Sequence, residues 1–584
     1  MMIPTKDVHK QFAHYFKEKT LQPYLYLLSK GLNEGHICLS LDQIDLDELS
    51  AAGFDRKLSH NDLDNAEWVG NENEYLPLIL HQNHLYFQRY FQYESMVLNQ
   101  IKNWVAQGKE NRKAMQQQLL AKKEWIQHLF PMEKKGVNWQ QIAALSSVLN
   151  QFSIITGGPG TGKTTTLAKV LYILYALQPE MKVALAAPTG KAAARMAESL
   201  KAAGAQFPEI QSKFESLTPS TLHRLLKPQK NSIYFRHNAE NPLPYDLVIV
   251  DESSMIDLAL FAKLLQAIRP STKIIFLGDK DQLASVEAGS LFGDLCLAQK
   301  KLNQFSAATV DFMNAFIPDK NHQLGPEHTT ESNHLLFEHI VELQVSHRFS
   351  DEEGIGKLSK AILQNQTELL EGFFDNQEER VKMDEENNSM VFEEFIEGFR
   401  TYIEEKDTAL ALRKLNDLKV LCAIREGQFG LYALNDRIQK YLQTKGWLQL
   451  TTEFYENRPI IINQNNYELG LFNGDIGLVR KDENGVLKVW FESKENELKS
   501  VLPALIDAAD TVFAMTIHKS QGSEFNEVLV VLPEQENLPL LTRELLYTAV
   551  TRAREKVIIQ GTKNVVLSSA KKRVERGSGI VHRF

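Results

Sequence analysis

Apolar and polar positions along this 584-residue chain alternate with the rhythm of strands separated by helices. Short apolar runs with the length of buried strands recur in a first block, at residues 152–155, 183–187, 247–250 and 274–277. Similar runs recur in a second block that starts near residue 418, at residues 420–423, 511–516, 527–532 and 556–560. This alternation predicts two parallel, doubly wound α/β sheets with a cleft between them.

Two stretches interrupt these blocks. Residues 458–503 are rich in strand and turn signals, including Asn-Gly-Asp at 473–475, and predict a small β-barrel insert. Residues 228–244 contain the segment SIYFRH and predict a protruding hairpin. The α/β blocks and their inserts divide the chain at residue 350, giving one domain at 126–350 and another at 351–584.

The region before residue 125 has a different pattern and predicts a mostly helical N-terminal domain. The expected elements are short helices at 6–17, 21–32 and 46–52, a hairpin of 78–80 with 85–87, and an amphipathic helix at 90–106. Residues 84–93 carry five aromatic side chains in ten positions. They predict either a small aromatic core or a face that docks on another protein.

Composition narrows the class of protein. With 43% apolar residues the chain can bury several cores, and its net charge of −9 does not suggest indiscriminate nucleic-acid binding. Charge is uneven, because residues 368–407 carry 14 acidic and 4 basic groups, whereas residues 551–584 carry 9 basic and 2 acidic. The three cysteines, Cys38, Cys296 and Cys422, have neither paired nor metal-ligand spacing. We therefore expect a cytoplasmic protein without a signal peptide or membrane span.

The chemistry is concentrated in residues 153–166, which read SIITGGPGTGKTTT. Gly157, Gly162, Lys163 and Thr164 satisfy the phosphate-loop spacing G-x-x-x-x-G-K-[ST]. Glycines let several backbone N–H groups point at one anion, and the following helix presents its positive end there. Lysine can reach the β- and γ-phosphates, while the threonine hydroxyl can hold Mg²⁺. A glycine-rich surface turn is the alternative, but the strand before and the helix after favour a nucleoside triphosphate site.

Further polar residues follow the other predicted strands. Asp251 suits Mg²⁺ binding and Glu252 suits polarisation of the attacking water, because both end the apolar strand LVIV. Gln282, just beyond another strand, can sense the γ-phosphate. Arg348 and Arg552, which we assign to the second block, can supply the positive charge that phosphoryl transfer needs.

Eight stretches in order along the chain resemble motifs I to VI of superfamily 1 helicases, and in particular the RecD branch of superfamily 1B, the alpha subunits of exodeoxyribonuclease V. These stretches are GGPGTGKTTT (157–166), APTGKAAARM (187–196), STLHRLL (220–226), VDESSMI (250–256), GDKDQLASVEAGS (278–290), SHRF (346–349), TIHKSQGSEF (516–525) and LYTAVTRARE (546–555). The resemblance spans residues 139 to 584 and implies that both α/β blocks are RecA-like motor domains. One departure is His347, where the family pattern leads us to expect tyrosine.

The resemblance also implies roles for individual residues. Gln140 is expected to read adenine, Glu524 to contact the ribose, and Arg348 and Arg552 to act as arginine fingers. Residues expected to bind ATP are Gln140, Gly158, Gly160, Thr161, Gly162, Lys163, Thr164, Thr165 and Glu524. Residues expected to touch single-stranded DNA are Thr189, His223, Thr516 and His518.

The resemblance implies an ATP-dependent motor that moves 5′ to 3′ on single-stranded DNA. It would act beside RecB-like and RecC-like subunits in a heterotrimer that processes double-strand breaks, with the N-terminal domain as docking surface. Any exonuclease activity would belong to that complex. The alternatives are a stand-alone RecD-like helicase, an ATP-gated DNA clamp that does not unwind, and a small-molecule kinase. The kinase would leave the second block unexplained.

Overall fold

The computed structural model describes residues 7–55, 58–131, 136–230, 232–285, 287–350, 352–375, 378–466, 468–492, 497–574 and 576–583. Within these ranges, none of the helices combines the length and the apolar composition that a bilayer crossing requires.

The N-terminal region contains a small four-stranded sheet covered by short helices. The strands are β1 (Cys38–Ser40), β2 (Val69–Gly70), β3 (Leu78–His81) and β4 (His84–Phe87), in the order β1-β4-β3-β2. The helices are α1 (Val8–Tyr15), α2 (Gln22–Asn33), α3 (Leu46–Ala51) and α4 (His60–Asp64). The predicted hairpin is confirmed, and its two turn residues, Gln82 and Asn83, have φ angles of 45° and 65°. Positive φ at both positions matches the twist of the paired strands.

The aromatic stretch at 84–93 contributes to the interior, as the core interpretation predicts. Tyr86 is 1% exposed and Phe91 is 5% exposed, and the two rings pack edge to face. The helix that follows, α5 (Gln88–Ala121), is longer than predicted, and α6 (Lys123–Leu129) comes next. α5 packs on the first large sheet, where the Trp104 ring stacks on Phe152 at 6.3 Å. This helix therefore shares its core with the sheet.

The first α/β block is a six-stranded parallel sheet, as predicted. Its strands are β5 (Phe152–Gly157), β6 (Val183–Ala187), β7 (Ser220–Thr221), β8 (Leu247–Val250), β9 (Lys273–Gly278) and β10 (Ile340–Leu343), in the order β10-β5-β9-β8-β6-β7. Its helices are α7 (Trp139–Leu149), α8 (Lys163–Leu177), α9 (Gly190–Gly204), α10 (Gln211–Ser216), α11 (Leu222–Leu226), α12 (Leu258–Gln266), α13 (Leu291–Leu297) and α14 (Ala307–Asn314). Successive strand residues such as Ile154 and Ile155 enter separate apolar cores, so helices cover both faces.

The second block contains two sheets. Its strands are β11 (Val381–Asp384), β12 (Leu418–Cys422), β13 (Pro459–Ile462), β14 (Ile476–Lys481), β15 (Leu487–Glu492), β16 (Leu498–Val501), β17 (Ala509–Thr511), β18 (Ala514–Thr516), β19 (Phe525–Val531) and β20 (Ala553–Gln560). Its helices are α15 (Gly354–Leu363), α16 (Thr367–Asp375), α17 (Ser389–Glu397), α18 (Arg400–Ile403), α19 (Thr408–Leu415), α20 (Leu431–Thr444), α21 (Arg543–Val550), α22 (Lys563–Lys571) and α23 (Ile580–Arg583). The parallel motor sheet has the order β11-β20-β19-β12-β18.

The insert forms an antiparallel sheet in the order β16-β15-β14-β13-β17, built on Ile460, Val479 and Val489. Among the described residues no pairing joins β16 to β17, so closure into a barrel is not confirmed. The single strand predicted at 511–516 is wrong, because the chain leaves the insert at β17 and enters the motor sheet at β18. Residues 511–516 contribute to both sheets. The apolar pattern of the sequence does not show where the first strand ends and the second begins.

The segment SIYFRH folds back on itself through a bridge between Pro228 and Phe235. The Gln229 N–H donates to the Tyr234 carbonyl at 3.3 Å. Ile233 and Tyr234 at its tip are 66% and 67% exposed. The segment thus projects from the first motor domain.

The C-terminal segment crosses back to the N-terminal region. Ile580 is fully buried in a core that also contains Ile37. The Glu94 carboxylate, also fully buried, accepts from Arg583 at 2.6 Å and from the Gly579 N–H at 3.0 Å. A buried carboxylate is tolerated only when it is paired, so these contacts fix the C-terminal segment to α5.

Replacing Arg583 with methionine should destabilise this junction by about 3–5 kcal/mol, because the buried Glu94 charge would lose its partner. Denaturant and thermal unfolding of the full chain would measure the loss. The control is Lys440→Met, which breaks an ion pair with Asp436 whose side chains are 69% and 59% exposed and should change stability by less than about 1 kcal/mol. Equal stability of the two variants would contradict the expectation.

Candidate functional site

The phosphate loop connects β5 to α8 at the carboxyl edge of the first sheet. Gly160 and Gly162 have φ angles of 77° and 84°, a region that favours glycine. A side chain at Gly160 would also meet Arg348, and one at Gly162 would meet Gln140. The Lys163 ammonium donates to the carbonyls of Gly157 at 2.6 Å and Gly158 at 3.2 Å. The loop therefore holds its lysine at the entrance of the helix.

Acidic residues end the neighbouring strands. Asp251 follows β8, and burial together with the Glu252 charge raises the pKa of its carboxyl to about 6. Asp279 follows β9, and burial raises its pKa to about 6 as well. Gln282 lies three residues further on, 6% exposed, with its side-chain oxygen lacking a hydrogen-bond partner within the described part of the chain. These groups face the same edge as the phosphate loop.

Two arginines from different parts of the chain also reach the cleft. Arg552 follows α21, is 3% exposed, and donates to the backbone carbonyls of Thr548 and Ser523 at 3.1 and 3.2 Å. Arg348 lies on the connection after β10, so its assignment to the second block is wrong. Its segment rests on the phosphate loop, where the His347 N–H donates to the Gly160 carbonyl at 2.9 Å. The SHRF stretch contains no strand or helix of its own, so the apolar pattern could not place it.

Glu524 joins three arginines from different parts of the chain. Its carboxylate accepts from Arg195 at 2.6 Å, from Arg348 at 2.9 Å and from Arg554 at 2.9 Å. Burial alone would raise the pKa of Glu524, but the charges of Arg195 and Arg348 outweigh it and hold the pKa well below its ordinary value. One Arg348 nitrogen is buried without a partner among the described residues. An anion in the cleft would satisfy it.

The predicted nucleotide residues surround one cavity of about 870 Å³ between the two motor domains. Its lining includes Gln140, Gly160, Thr161, Gly162, Lys163, Thr164, Thr165, Asp251, Glu252, Gln282, Arg348, Glu524 and Arg552. Gly158 lies behind it as an acceptor for Lys163. Gln140 donates to the Thr161 carbonyl at 3.2 Å and contacts the His347 ring at 3.1 Å. The cavity is large enough for a nucleoside triphosphate.

The donor set also fits a magnesium ion. Thr164 offers a hydroxyl and Asp251 a carboxylate on the wall of the same cavity, and Mg²⁺ prefers oxygen ligands. It is commonly held by one or two protein oxygens together with substrate phosphates.

The predicted DNA residues lie at the carboxyl edges of both sheets. Thr189 caps α9 by accepting from the Ala192 N–H at 3.2 Å, and His223 is exposed beside the Phe235 ring at 5.7 Å. In the second domain, Thr516 ends β18 and His518 follows two residues later. A Cβ atom added at Gly522 would lie 3.9 Å from the Thr189 hydroxyl oxygen. The structure thus brings Thr189 close to the loop that carries Thr516 and His518.

Sequence reasoning did not predict the contacts that three residues of the site make. Arg195 binds Glu524, Asp279 is a second buried acid, and the Tyr547 hydroxyl donates to Asp279 at 3.0 Å. All three lie inside motifs that were recognised. Their contacts join distant parts of the chain, so local patterns carried no signal for them.

Comparison with protein families matches three regions. Residues 7–86 match the N-terminal domain of the RecBCD enzyme subunit RecD, residues 140–288 match an AAA domain, and residues 511–560 match a UvrD-like helicase C-terminal domain. These matches cover the N-terminal region, the phosphate-loop domain and the end of the second motor domain.

Solved structures that match this chain include a Bacteroides Pif1 helicase in complex with ADP-AlF3 and single-stranded DNA. That match has 17% identity and a TM-score of 0.39, and covers 75% of this chain and 94% of that chain. Among curated relatives, the ATP-dependent RecD2 DNA helicase of Deinococcus radiodurans is 30% identical, with 77% of this chain and 53% of that protein covered.

Other relatives match along most of their length. The RecBCD enzyme subunit RecD of Haemophilus influenzae is 34% identical over 541 residues, with 87% of this chain and 81% of that protein covered. The subunit of the same name from Mycobacterium tuberculosis H37Rv is 34% identical over 572 residues, with 94% and 89% covered. With an identity of this size over so much of both proteins, the chain belongs to the family of RecBCD enzyme subunits RecD.

Proposed function

We propose that this protein is an ATP-dependent DNA helicase that moves 5′ to 3′ along single-stranded DNA as the RecD-like subunit of a RecBCD-type complex. The observation that carries the proposal is the single cavity in which the phosphate loop and two acids face Arg348 and Arg552. Phosphoryl transfer depends on positioning and on charge stabilisation, and these residues supply both.

Each residue has a chemical task in this proposal. Lys163 leaves the carbonyls of the loop and binds the β- and γ-phosphates, while Gln282 orients its amide towards the γ-phosphate. Glu252 orients and deprotonates the attacking water. Thr164 and Asp251 would hold Mg²⁺, which would neutralise charge that develops on the phosphates.

The arginines link the chemistry to movement. Arg552 binds the γ-phosphate from the second motor domain and Arg348 binds it from the connection between the domains, so ATP favours the closed arrangement of the two motor domains and hydrolysis releases it. If the two domains hold DNA with different strengths when open and closed, each cycle becomes a step along the strand. Nucleotide binding and DNA binding therefore both depend on the same equilibrium between the open and closed arrangements of the two motor domains.

The DNA path follows the carboxyl edges of both sheets past Thr189, His223, Thr516 and His518. Hydroxyls, imidazoles and backbone amides at strand ends can bind sugar and phosphate without reading bases. The insert lies beside this path, because the Arg224 guanidinium stacks on its Phe472 ring at 3.9 Å. In this proposal the insert covers the DNA, and the projecting hairpin with Ile233 and Tyr234 separates the strands of a duplex.

The N-terminal region is the proposed docking surface for RecB-like and RecC-like subunits. Its exposed aromatic side chains lie outside residues 84–93. Tyr15 is 84% exposed and Trp68 is 40% exposed, and both rings contact Phe16. Exposed aromatic residues of this kind are typical of interface centres.

Two alternatives remain distinguishable by experiment. A DNA clamp would hydrolyse ATP without separating strands, and a stand-alone helicase would work without partner subunits. The chain spans 53% of the RecD2 helicase but more than four-fifths of the Haemophilus RecBCD subunit, which favours the subunit.

The wild-type chain should hydrolyse ATP faster when single-stranded DNA is present and should unwind duplexes with a 5′ tail in single turnover. Lys163→Ala should lower kcat by at least about a hundredfold, because a charge that stabilises the transition state is lost. Lys201→Ala is a matched control, since Lys201 is exposed at the end of α9. DNA-stimulated hydrolysis that survives in Lys163→Ala would overturn the nucleotide site. Hydrolysis without strand separation would favour the clamp.

Arg552→Lys should lower kcat by about a thousandfold while nucleotide still binds, because lysine keeps the charge but loses the planar fork. Hydrolysis rates and binding of a fluorescent ATP analogue would separate the two effects. Arg573→Lys is the control, since this side chain is 52% exposed on the same domain. Unchanged kcat in Arg552→Lys would show that this arginine does not reach the phosphate.

The double substitution Tyr15→Ser, Trp68→Ser should reduce capture of co-expressed RecB-like and RecC-like subunits by at least about tenfold, because central aromatic contacts dominate interface energy. Affinity purification would measure it, and hydrolysis by the isolated chain should not change. Tyr432→Ser, at a residue 48% exposed on the second motor domain, is the control. Undiminished capture would place the docking surface elsewhere.

A further inference from the structure

We propose that Tyr547 is a positioning residue that transmits the closure of the second motor domain to the γ-phosphate sensor Gln282. This inference rests on the proposed function of the cleft and adds a residue to it. Tyr547 lies on α21, five positions before Arg552, and its side chain crosses the cleft into the first motor domain. Only 4% of it is exposed.

The first contact is with Asp279. The Tyr547 hydroxyl donates to one carboxylate oxygen at 3.0 Å, and the Asp281 N–H donates to the other at 3.0 Å. Asp279 is 1% exposed, so nearly all of its stabilisation comes from such donors. One donor belongs to the residue's own turn and the other to the opposite domain. The orientation of this carboxylate therefore depends on where α21 lies.

The same turn carries Gln282. The Gln282 N–H points back to the Asp279 carbonyl at 3.4 Å, so the position of Asp279 sets the start of the segment that presents the glutamine side chain. That side chain is buried, and its oxygen has no partner among the described residues. Such an atom is available to a ligand in the cleft. A shift of Asp279 would move Gln282 relative to the γ-phosphate.

The second contact is with the phosphate loop itself. A Cβ atom at Gly158 would lie 2.8 Å from the Tyr547 hydroxyl, so the tyrosine occupies the space that a side chain would need. The Gly158 carbonyl accepts from both Lys163 and Thr161. Tyr547 therefore touches the loop at the residue that orients its lysine.

Neighbouring contacts hold α21 against this turn. The Thr548 hydroxyl accepts from the Leu283 N–H at 2.9 Å, and the Gln521 side chain donates to the Leu283 carbonyl. The second motor domain thus makes three hydrogen bonds to residues 279–283. Of the three residues that form them, Tyr547 is the one that also contacts the phosphate loop. The charged and titratable groups that interact electrostatically with Asp279 include Lys163, Asp281, Arg552 and Cys296.

The test is Tyr547→Phe in the full-length chain, which keeps the ring and removes only the hydroxyl. We expect kcat for DNA-stimulated ATP hydrolysis to fall about tenfold while KM for ATP changes less than about twofold, because the loss affects alignment rather than binding. The unwinding rate should fall by the same factor. The control is Tyr441→Phe, which removes a tyrosine–carboxylate bond to Glu397 of 2.6 Å on the outside of the second domain. It should leave kcat unchanged.

A second variant tests the route. Because the hydroxyl acts through Asp279, the double variant Asp279→Asn, Tyr547→Phe should be no slower than Asp279→Asn alone. Losses that multiply would overturn the inference. So would an unchanged kcat in Tyr547→Phe, or a loss that appears only as a lower unfolding temperature or a higher KM. If the wild-type chain shows no DNA-stimulated hydrolysis, the proposed function fails. If the wild type is active and Tyr547→Phe is equally active, only the role of Tyr547 fails.

Discussion

Glu524 is the charge on which the arrangement of the cleft depends. It accepts ion pairs from Arg195 of the first motor domain, from Arg348 of the connection after β10, and from Arg554 of the second motor domain. Three guanidinium groups would repel one another if this carboxylate were missing. Because Glu524 is present, Arg195 and Arg348 can both lie at the nucleotide cavity. One nitrogen of Arg348 remains available to a further anion. The cleft is thus prepared for phosphate charge.

This arrangement divides the chemistry between two folding units. Each parallel sheet presents its carboxyl edge to the cleft, where loops follow strands and polar side chains converge. The first domain contributes the lysine and the acids, while Arg552 comes from the second. In the proposed mechanism neither set can complete the site alone, so hydrolysis would require closure. Tyr547, Thr548 and Gln521 of the second domain also contact the turn that follows β9, at Asp279 and Leu283.

The remainder of the chain braces this pair of domains. α5 shares its core with the first sheet through Trp104 and Phe152, and the C-terminal segment returns to Glu94 on that helix. The C-terminal segment and α5 therefore meet beside the first motor domain, while the insert of the second domain reaches it through Phe472 and Arg224. A truncation that removed α5 would therefore remove part of the core of the first motor domain, including Trp104. Point substitutions on the surface are the better way to separate docking from catalysis.

The sequence by itself determined the two parallel sheets, the phosphate loop and the acids at strand ends. Continuous apolar runs, glycine spacing and the placement of Asp251 after a strand are local properties of the chain. The order of the motifs likewise indicates the helicase family without any knowledge of tertiary contacts. The tertiary structure alone decided that the aromatic stretch around Tyr86 is buried, that Arg348 rests on the phosphate loop, and that Tyr547 reaches Asp279. Each of these depends on packing or hydrogen bonding between segments far apart in the chain, which no local pattern of residues encodes.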